Sequence, residues 1–314
     1  MDRVAAVAAR SRLIAIAGPT AAGKSALGLR LAVELGGEIV SCDSLQVYRG
    51  LEVGSAKPTP AERGAVRHHL LDVVDPDQPF SAADYARLAR AAVTGVRDRG
   101  RLPLVVGGTG LYLRALLTGL FEGPSRDEPF RRRVEGLAER WGDRRLHRLL
   151  ARVDRATAAR IHPADRVRVV RALEVWRATG RSLTAQHRSA PQGLEGFAVL
   201  LLGLAPERGT LREAVERRTD GMLRGGLLDE VRGLLAAGYG ETRPLGAIGY
   251  RQAVAAVRGE LQVDEARRDI VTTTMRYAKR QMTWFRHQAS VTWCPDPEDA
   301  RERAHAWLQA AVEP

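Results

Sequence analysis

Short apolar segments alternate with helical ones, a glycine-rich turn follows the first of them, and strand patterns vanish in mid-chain. Together these predict an α/β protein: a parallel sheet flanked by helices and built on a phosphate-binding P-loop, with an all-helical insertion. The first strand is LIAIAG, Leu13 to Gly18, ended by GPTAAGKS and followed by ALGLRLAVELG, apolar at helical spacing until Gly36 and Gly37 stop it. A second strand, Glu38 to Cys42, runs into Asp43. The helical SAADYARLARAAVTGVRDRG precedes a third, Leu102 to Val106, which runs into GGTGLY at Gly107 to Tyr112. Strands that are apolar throughout and separated by helices belong in a parallel sheet covered on both faces. From Phe121 to about Thr184 the segment reads as consecutive amphipathic helices, with Pro124, Pro129 and Pro163 near their starts and Gly180 at a stop. A polar stretch, Ser189 to Gly196, leads to the apolar FAVLLLGL at Phe197 to Leu204, then more helices and a last short strand near Val291 to Cys294. The expected organisation is therefore a core, residues 1–120, an insertion, 121–196, and the rest of the core, 197–314.

Composition limits the function classes. A chain of 314 residues has room for two domains. Its longest apolar stretches, such as Phe197 to Leu204, are less than half of the roughly 20 residues a membrane helix needs, and Met1 to Arg12 lacks the apolar run of a secretory signal. No membrane partner and a cytoplasmic location are expected. Two cysteines, Cys42 and Cys294, make neither a disulfide framework nor a structural zinc site, so any metal should be bound by oxygen. The net charge is +12, and residues 121–190 hold seventeen Arg against nine Asp or Glu. Such a segment suits a polyanion-facing surface. An alternative stands beside it: only Lys24, Lys57 and Lys279 are lysines, so a compositional bias toward arginine would decorate any solvated face.

The chemistry concentrates in three turns. Gly18, Pro19, Thr20, Ala21, Ala22, Gly23, Lys24 and Ser25 fit G-x-x-x-x-G-K-[ST] with a strand before and a helix after. Backbone N–H groups there would wrap a diphosphate, Lys24 would add charge, and the Ser25 hydroxyl would ligate Mg²⁺. Ordinary NTPases place an Asp after an apolar strand to hold the metal; LPLVV instead ends in Gly107 and Gly108, and the carboxylate at a strand end is Asp43. Strand C-termini of a parallel sheet share one edge, where ligands bind. Asp43 is thus a metal ligand, a base, or simply the cap of its turn. Cys42 reads as a small buried strand residue, and His68, His69 and His162, lacking metal-ligand spacing, as structural.

The order GPTAAGKS, DSLQVYRG, AKP, HHLLD, FSAADYA, GGTGLYLRAL, HPADRVRVVRALEVWRATG, RRTDGMLRGGLLDEV, AIGYRQ and YAKRQMTWFR resembles the tRNA dimethylallyltransferase family from about Leu13 to Arg286. The resemblance implies transfer of a dimethylallyl group from its diphosphate to the exocyclic amine of the adenosine 3′ to the anticodon, with the loop gripping pyrophosphate and the insertion holding the anticodon stem. It implies catalytic roles for Asp43 as base, Thr20 beside the reacting carbon, and Lys24 and Arg218 on the leaving group, with Mg²⁺ on Ser25. Ser44, Leu45 and Gln46, with Asp43, would hold the flipped base. Thr109 would lie beside the substrate nucleotides, Arg131 would meet the stem, and Val167, Arg168, Val169, Val170 and Arg171 would contact tRNA, the two arginines through phosphates. Ala22, where the family usually has Ser, removes one hydroxyl but no backbone N–H. A helix with Arg276, Lys279, Arg280, Trp284 and Arg286 either touches RNA or buries Trp284 and Phe285. Because one asymmetric tRNA needs one subunit, a monomer is expected. Two other activities stay open: an adenylate prenyltransferase, disfavoured because a lone nucleotide gives the basic insertion nothing to hold, and a P-loop small-molecule kinase or NTPase, disfavoured by the missing strand-end Asp.

Overall fold

The structure, a computed structural model, describes residues 11–121, 123–124, 126–188, 193–288 and 290–310. Along the chain come β1 (Ser11–Ala17), α1 (Lys24–Leu35), β2 (Gly37–Ser41), α2 (Pro60–Ala65), β3 (His68–His69), α3 (Ala82–Asp98), β4 (Leu102–Val106) and α4 (Gly110–Thr118). Next are α5 (Glu128–Trp141), α6 (Asp143–Val153), α7 (Arg155–Ala158), α8 (Arg166–Thr179) and α9 (Leu183–Arg188). The chain then forms β5 (Phe197–Leu204), α10 (Arg208–Arg224), α11 (Leu227–Ala236), α12 (Tyr250–Val257), α13 (Val263–Gln288), β6 (Thr292–Cys294) and α14 (Pro297–Gln309). It divides into two compact units, residues 1–117 with 194–314, and 118–193.

In the first unit the strands pair in the order β3-β2-β4-β1-β5-β6, all parallel. Alternate side chains face opposite sides of the sheet, both of them covered, which explains why Leu13 to Ala17 of β1 and all of β4 are apolar at every position. Leu13, Ala15 and Ala17 of β1 face one buried cluster with Val40, Val105 and Phe285. Ile14 and Ile16 face another with Leu104, Leu202 and Leu31. Gly36, in the left-handed conformation at φ 63°, ends α1. Ser81 starts α3 with a reciprocal capping box to Asp84. The two-residue β3 is the strand that hydrophobic periodicity misses: His68 and His69 pair with Ile39 and Val40, and His69 meets Glu38 at 2.7 Å. That contact fits their expected structural role.

The second unit is helical, α5 to α9, around a core of Val134, Ala138, Leu146, Leu150, Val169, Val170 and Leu173. Asp127, Asp154 and Asp165 cap α5, α7 and α8. Its boundaries fall three residues before the expected 121–196 at each end.

Candidate active site

The loop between β1 and α1 owes its path to backbone geometry. Gly18 has φ 137°, and a Cβ there would lie 2.7 Å from the Leu204 carbonyl oxygen, so the chain can pass β5 only without a side chain. Gly23, at φ 89°, stands at the N-terminus of α1. Ala21 holds a left-handed φ of 67°, a strain of the kind that collects at ligand sites. The Lys24 ammonium folds back and donates to the Pro19 carbonyl at 2.6 Å. Burial, reinforced by the positive charge of Arg218, pulls its pKa down to about 8 against the opposing pull of Asp43. Ser25 is exposed in the first turn of α1.

Asp43 follows β2, and its Oδ1 accepts from the backbone N–H of Leu45 at 2.8 Å and of Gln46 at 3.4 Å. The carboxylate therefore caps its turn and lines the cavity at once: Thr20, Lys24, Ser25, Gln46, Ser55, Ala56, Gly108 and Arg218 share that cavity with it. Arg218, on α10, is partly buried, and no hydrogen bond or ion pair holds it among the described residues. Its pKa is lowered by desolvation and raised by Asp43. An unheld guanidinium beside a lysine ammonium and a helix N-terminus makes a strongly anion-seeking pocket. The Ser25 hydroxyl supplies an oxygen donor of the kind a Mg²⁺ ion takes when it keeps waters and shares a diphosphate.

The other turn residues do more scaffolding than expected. Gln46 accepts from the Ser41 hydroxyl at 2.8 Å and donates to the Ala56 carbonyl at 3.0 Å, so its carboxamide ties the DSLQ turn to the loop opposite. Thr109 Oγ1 accepts from Ser44 N–H at 3.1 Å. Leu45 packs against the main core. Cys42 is 1% exposed, with burial pushing its thiol up to about 12, as a structural strand residue requires.

Three residues with large structural roles escape sequence reasoning. Gln281 of α13 accepts from Thr20 N–H at 3.0 Å and donates to the Gly108 carbonyl at 2.9 Å. Glu230 of α11 accepts from the N–H groups of Glu52, Val53 and Gly54 and from the Tyr250 hydroxyl. The buried Lys57 ammonium donates to Tyr48 O and pairs with Glu52 and Asp72. Each lies inside a motif quoted for the resemblance, but its partner lies elsewhere in the chain. On α13 the apolar reading holds for Phe285, which is buried, and for Trp284, packed on the same core, while Arg276, Lys279, Arg280 and Arg286 are exposed.

In the second unit, two expectations need correction. Val169 and Val170 are 0% and 1% exposed and belong to the helical core, so their side chains cannot meet RNA. Arg131 and Arg171 do structural work not expected of them: Arg131 grips Glu174 with two bonds of 2.8 Å, and Arg171, still partly exposed, bonds Glu174 at 2.5 Å and the Pro124 carbonyl. Glu174 is 2% exposed. Burial pushes its pKa up, but bonds from Arg131, Arg171 and Asp127 N–H prevail and hold it at about 2. An uncompensated buried carboxylate is costly, which explains why it recruits two arginines. Val167 and Arg168 remain exposed, Arg168 within 3.3 Å of Asp165.

Comparison with known proteins supplies independent information. The family model described as IPP transferase matches residues 46–288. The chain is 49% identical over 289 residues to the tRNA dimethylallyltransferase of Geobacter metallireducens, covering 92% of this chain and 94% of that one. It is 49% identical over 298 residues to the tRNA dimethylallyltransferase of Anaeromyxobacter dehalogenans, covering 95% and 97%. Among solved structures, the full-length tRNA isopentenylpyrophosphate transferase of Bacillus halodurans matches at 38% identity and TM-score 0.69, over 95% of this chain and 96% of that one. A eukaryotic dimethylallyltransferase acting on tRNA matches at 26% identity and TM-score 0.77, over 94% and 78%.

Proposed function

The chain belongs to the IPP transferase family, and from that premise we propose that it transfers a dimethylallyl group from dimethylallyl diphosphate to the exocyclic amine of the adenosine 3′ to the anticodon in tRNA. The observation that carries this reading is one cavity lined by Asp43, Lys24 and Arg218 beside the glycine loop. Residues 18–25 bind the diphosphate through loop N–H groups, and Lys24 and Arg218 neutralise it as it departs. The carbon–oxygen bond of the allylic diphosphate breaks, pyrophosphate leaving with the electron pair. The adenine nitrogen lone pair forms the new bond to that carbon, and its proton passes to Asp43. Thr20 lies in the loop facing the same cavity, where it orients the reacting carbon. Ser25 would hold a Mg²⁺ ion, whose charge, when bound, offsets that of the diphosphate.

Ser44 and Leu45 frame the flipped base, with Gln46 and Thr109 fixing that frame through the bonds described above. The second unit serves the anticodon stem, with exposed Arg168 and Val167 as its contacts in α8 and Arg131 acting through Glu174 to set that helix. The enzyme acts as a cytoplasmic monomer on this reading; among the described residues no helix is long and apolar enough to cross a membrane.

Purified protein incubated with Mg²⁺ and dimethylallyl diphosphate should prenylate unmodified tRNA carrying consecutive adenosines after the anticodon. Prenylation of free AMP without reaction on tRNA would replace this reading with that of an adenylate prenyltransferase.

A further inference from the structure

Gln281 stands apart from the groups that line the cavity, yet it touches two of the three turns that build it. Gln281 is 6% exposed, and its carboxamide is spent at both ends, oxygen accepting from the Thr20 N–H and nitrogen donating to the Gly108 carbonyl. Gly108 precedes Thr109, whose hydroxyl holds the Ser44 N–H of the Asp43 turn. A hydrogen-bonded chain therefore runs from the glycine loop at the end of β1, through one side chain of α13, to the GGTG loop at the end of β4, and on to the turn after β2.

The glycines of GGTG fit this arrangement. A Cβ on Gly108 would lie 2.5 Å from Gln281 Nε2, and one on Gly110 would lie 2.4 Å from the Trp284 ring. The loop is bare where α13 presses on it, and Phe285, one turn beyond Gln281, anchors the helix in the core. Both partners of Gln281 are backbone groups that lose their bonds if the carboxamide is removed.

We infer that Gln281 is a positioning residue for prenyl transfer: a strut that sets the separation between the diphosphate loop and the acceptor turn carrying Asp43, without touching either substrate. The inference rests on the proposed function. Transfer between two bound reactants depends steeply on their spacing, a misplacement near 1 Å costing about 10²-fold. The two half-sites, by contrast, are each built mainly from their own local bonds.

The decisive experiment compares wild type with Gln281→Met, which keeps the volume and removes both bonds, and with Gln281→Glu. Folding is checked by circular dichroism and thermal melting. In Gln281→Met, kcat should fall about 10- to 100-fold, while the affinities for dimethylallyl diphosphate alone and tRNA alone change by less than about threefold. In Gln281→Glu, the Lys24 ammonium, close to the Gly108 position, favours the ionised carboxylate, which keeps the bond from the Thr20 N–H but cannot donate to the Gly108 carbonyl. Its kcat should therefore fall as well, with no recovery relative to wild type between pH 8 and 6. An active wild type with an unchanged kcat in Gln281→Met, even at a lower melting temperature, overturns the strut and leaves the proposed function standing. Loss of diphosphate affinity in step with kcat also overturns it, because Gln281 would then belong to the anion site itself.

Discussion

The Lys24 ammonium is held where the free enzyme would rather have no charge. Its pKa of about 8, against an ordinary 10.5, means that folding disfavours the protonated form, first by burial and then by Arg218. A shift of about 2.5 units at 1.36 kcal/mol each sets a ceiling of about 3 kcal/mol on the cost at pH 7. Lys24 retains some exposure, which lowers that ceiling, and its bond to the Pro19 carbonyl returns about 1 kcal/mol. Lys24→Met should therefore stabilise the ligand-free enzyme by about 1 kcal/mol while losing most of its affinity for dimethylallyl diphosphate. The pH dependence carries the sign. Between pH 8 and 10.5 the unfolded lysine binds more protons than the folded one, so wild-type stability gains on the variant as pH rises through that window, and the advantage of Lys24→Met disappears by its upper end. Paired chemical denaturations at pH 7 and 10, with calorimetric titration of the diphosphate at pH 7, measure both halves. A variant less stable than wild type at pH 7, or an advantage indifferent to pH, would refute the reasoning.

Two further outcomes follow from the same geometry. Asp43→Asn keeps an oxygen for the Leu45 and Gln46 N–H groups but cannot take a proton; single-turnover rates should drop about 10²- to 10⁴-fold with melting temperature and diphosphate affinity unchanged. Glu174→Ala strands Arg131 and Arg171 and should cost about 3 kcal/mol in chemical denaturation; because the folded carboxyl titrates near 2 and the free one near 4.5, the wild-type contribution is present above pH 4.5 and fades as pH falls toward 2.

Segments whose signal is local were legible in the sequence. Leu102–Val106 and Phe197–Leu204 form strands at the expected residues, because a parallel strand inside a covered sheet is a continuous apolar run, even where Val199 keeps some exposure, and its pattern needs no partner to be read. The glycine loop was legible for the same reason, since its strand and helix flank it directly. Long-range satisfaction of polar groups was not. Gln281 meets residues 261 and 173 positions away, and nothing in a run such as RQMTWFR distinguishes a glutamine facing solvent from one facing two backbone groups. Val169 and Val170 show the converse: in an arginine-rich helix of low net amphipathicity, the order of residues alone does not reveal which side faces the core, and the buried Glu174 on that helix reverses the usual cue.

Sterics at the strand ends place the acid of this site after β2 and not after β4. In an ordinary phosphate-loop NTPase the strand beside the loop strand ends in the metal-binding Asp. Here that neighbour is β4, which pairs with both β1 and β2. A Cβ on Gly107, just past its end, would lie 2.0 Å from the Cys42 carbonyl oxygen, so no residue larger than glycine fits there without moving the end of β2. The close approach has a use: Cys42 N–H donates to the Val106 carbonyl at 2.8 Å and Thr109 N–H to the Cys42 carbonyl at 3.2 Å, drawing the ends of the two strands together. Bringing β2 that near delivers the next residue, Asp43, to the cavity the glycine loop opens. A carboxylate at the end of β4 and a carboxylate in Asp43's place are thus sterically alternative solutions. The one present sets the acid at the mouth of the DSLQ turn, facing the cavity, and on the proposed reading that placement serves to deprotonate a nucleophile attacking a bound leaving group and not to position water against a terminal phosphate.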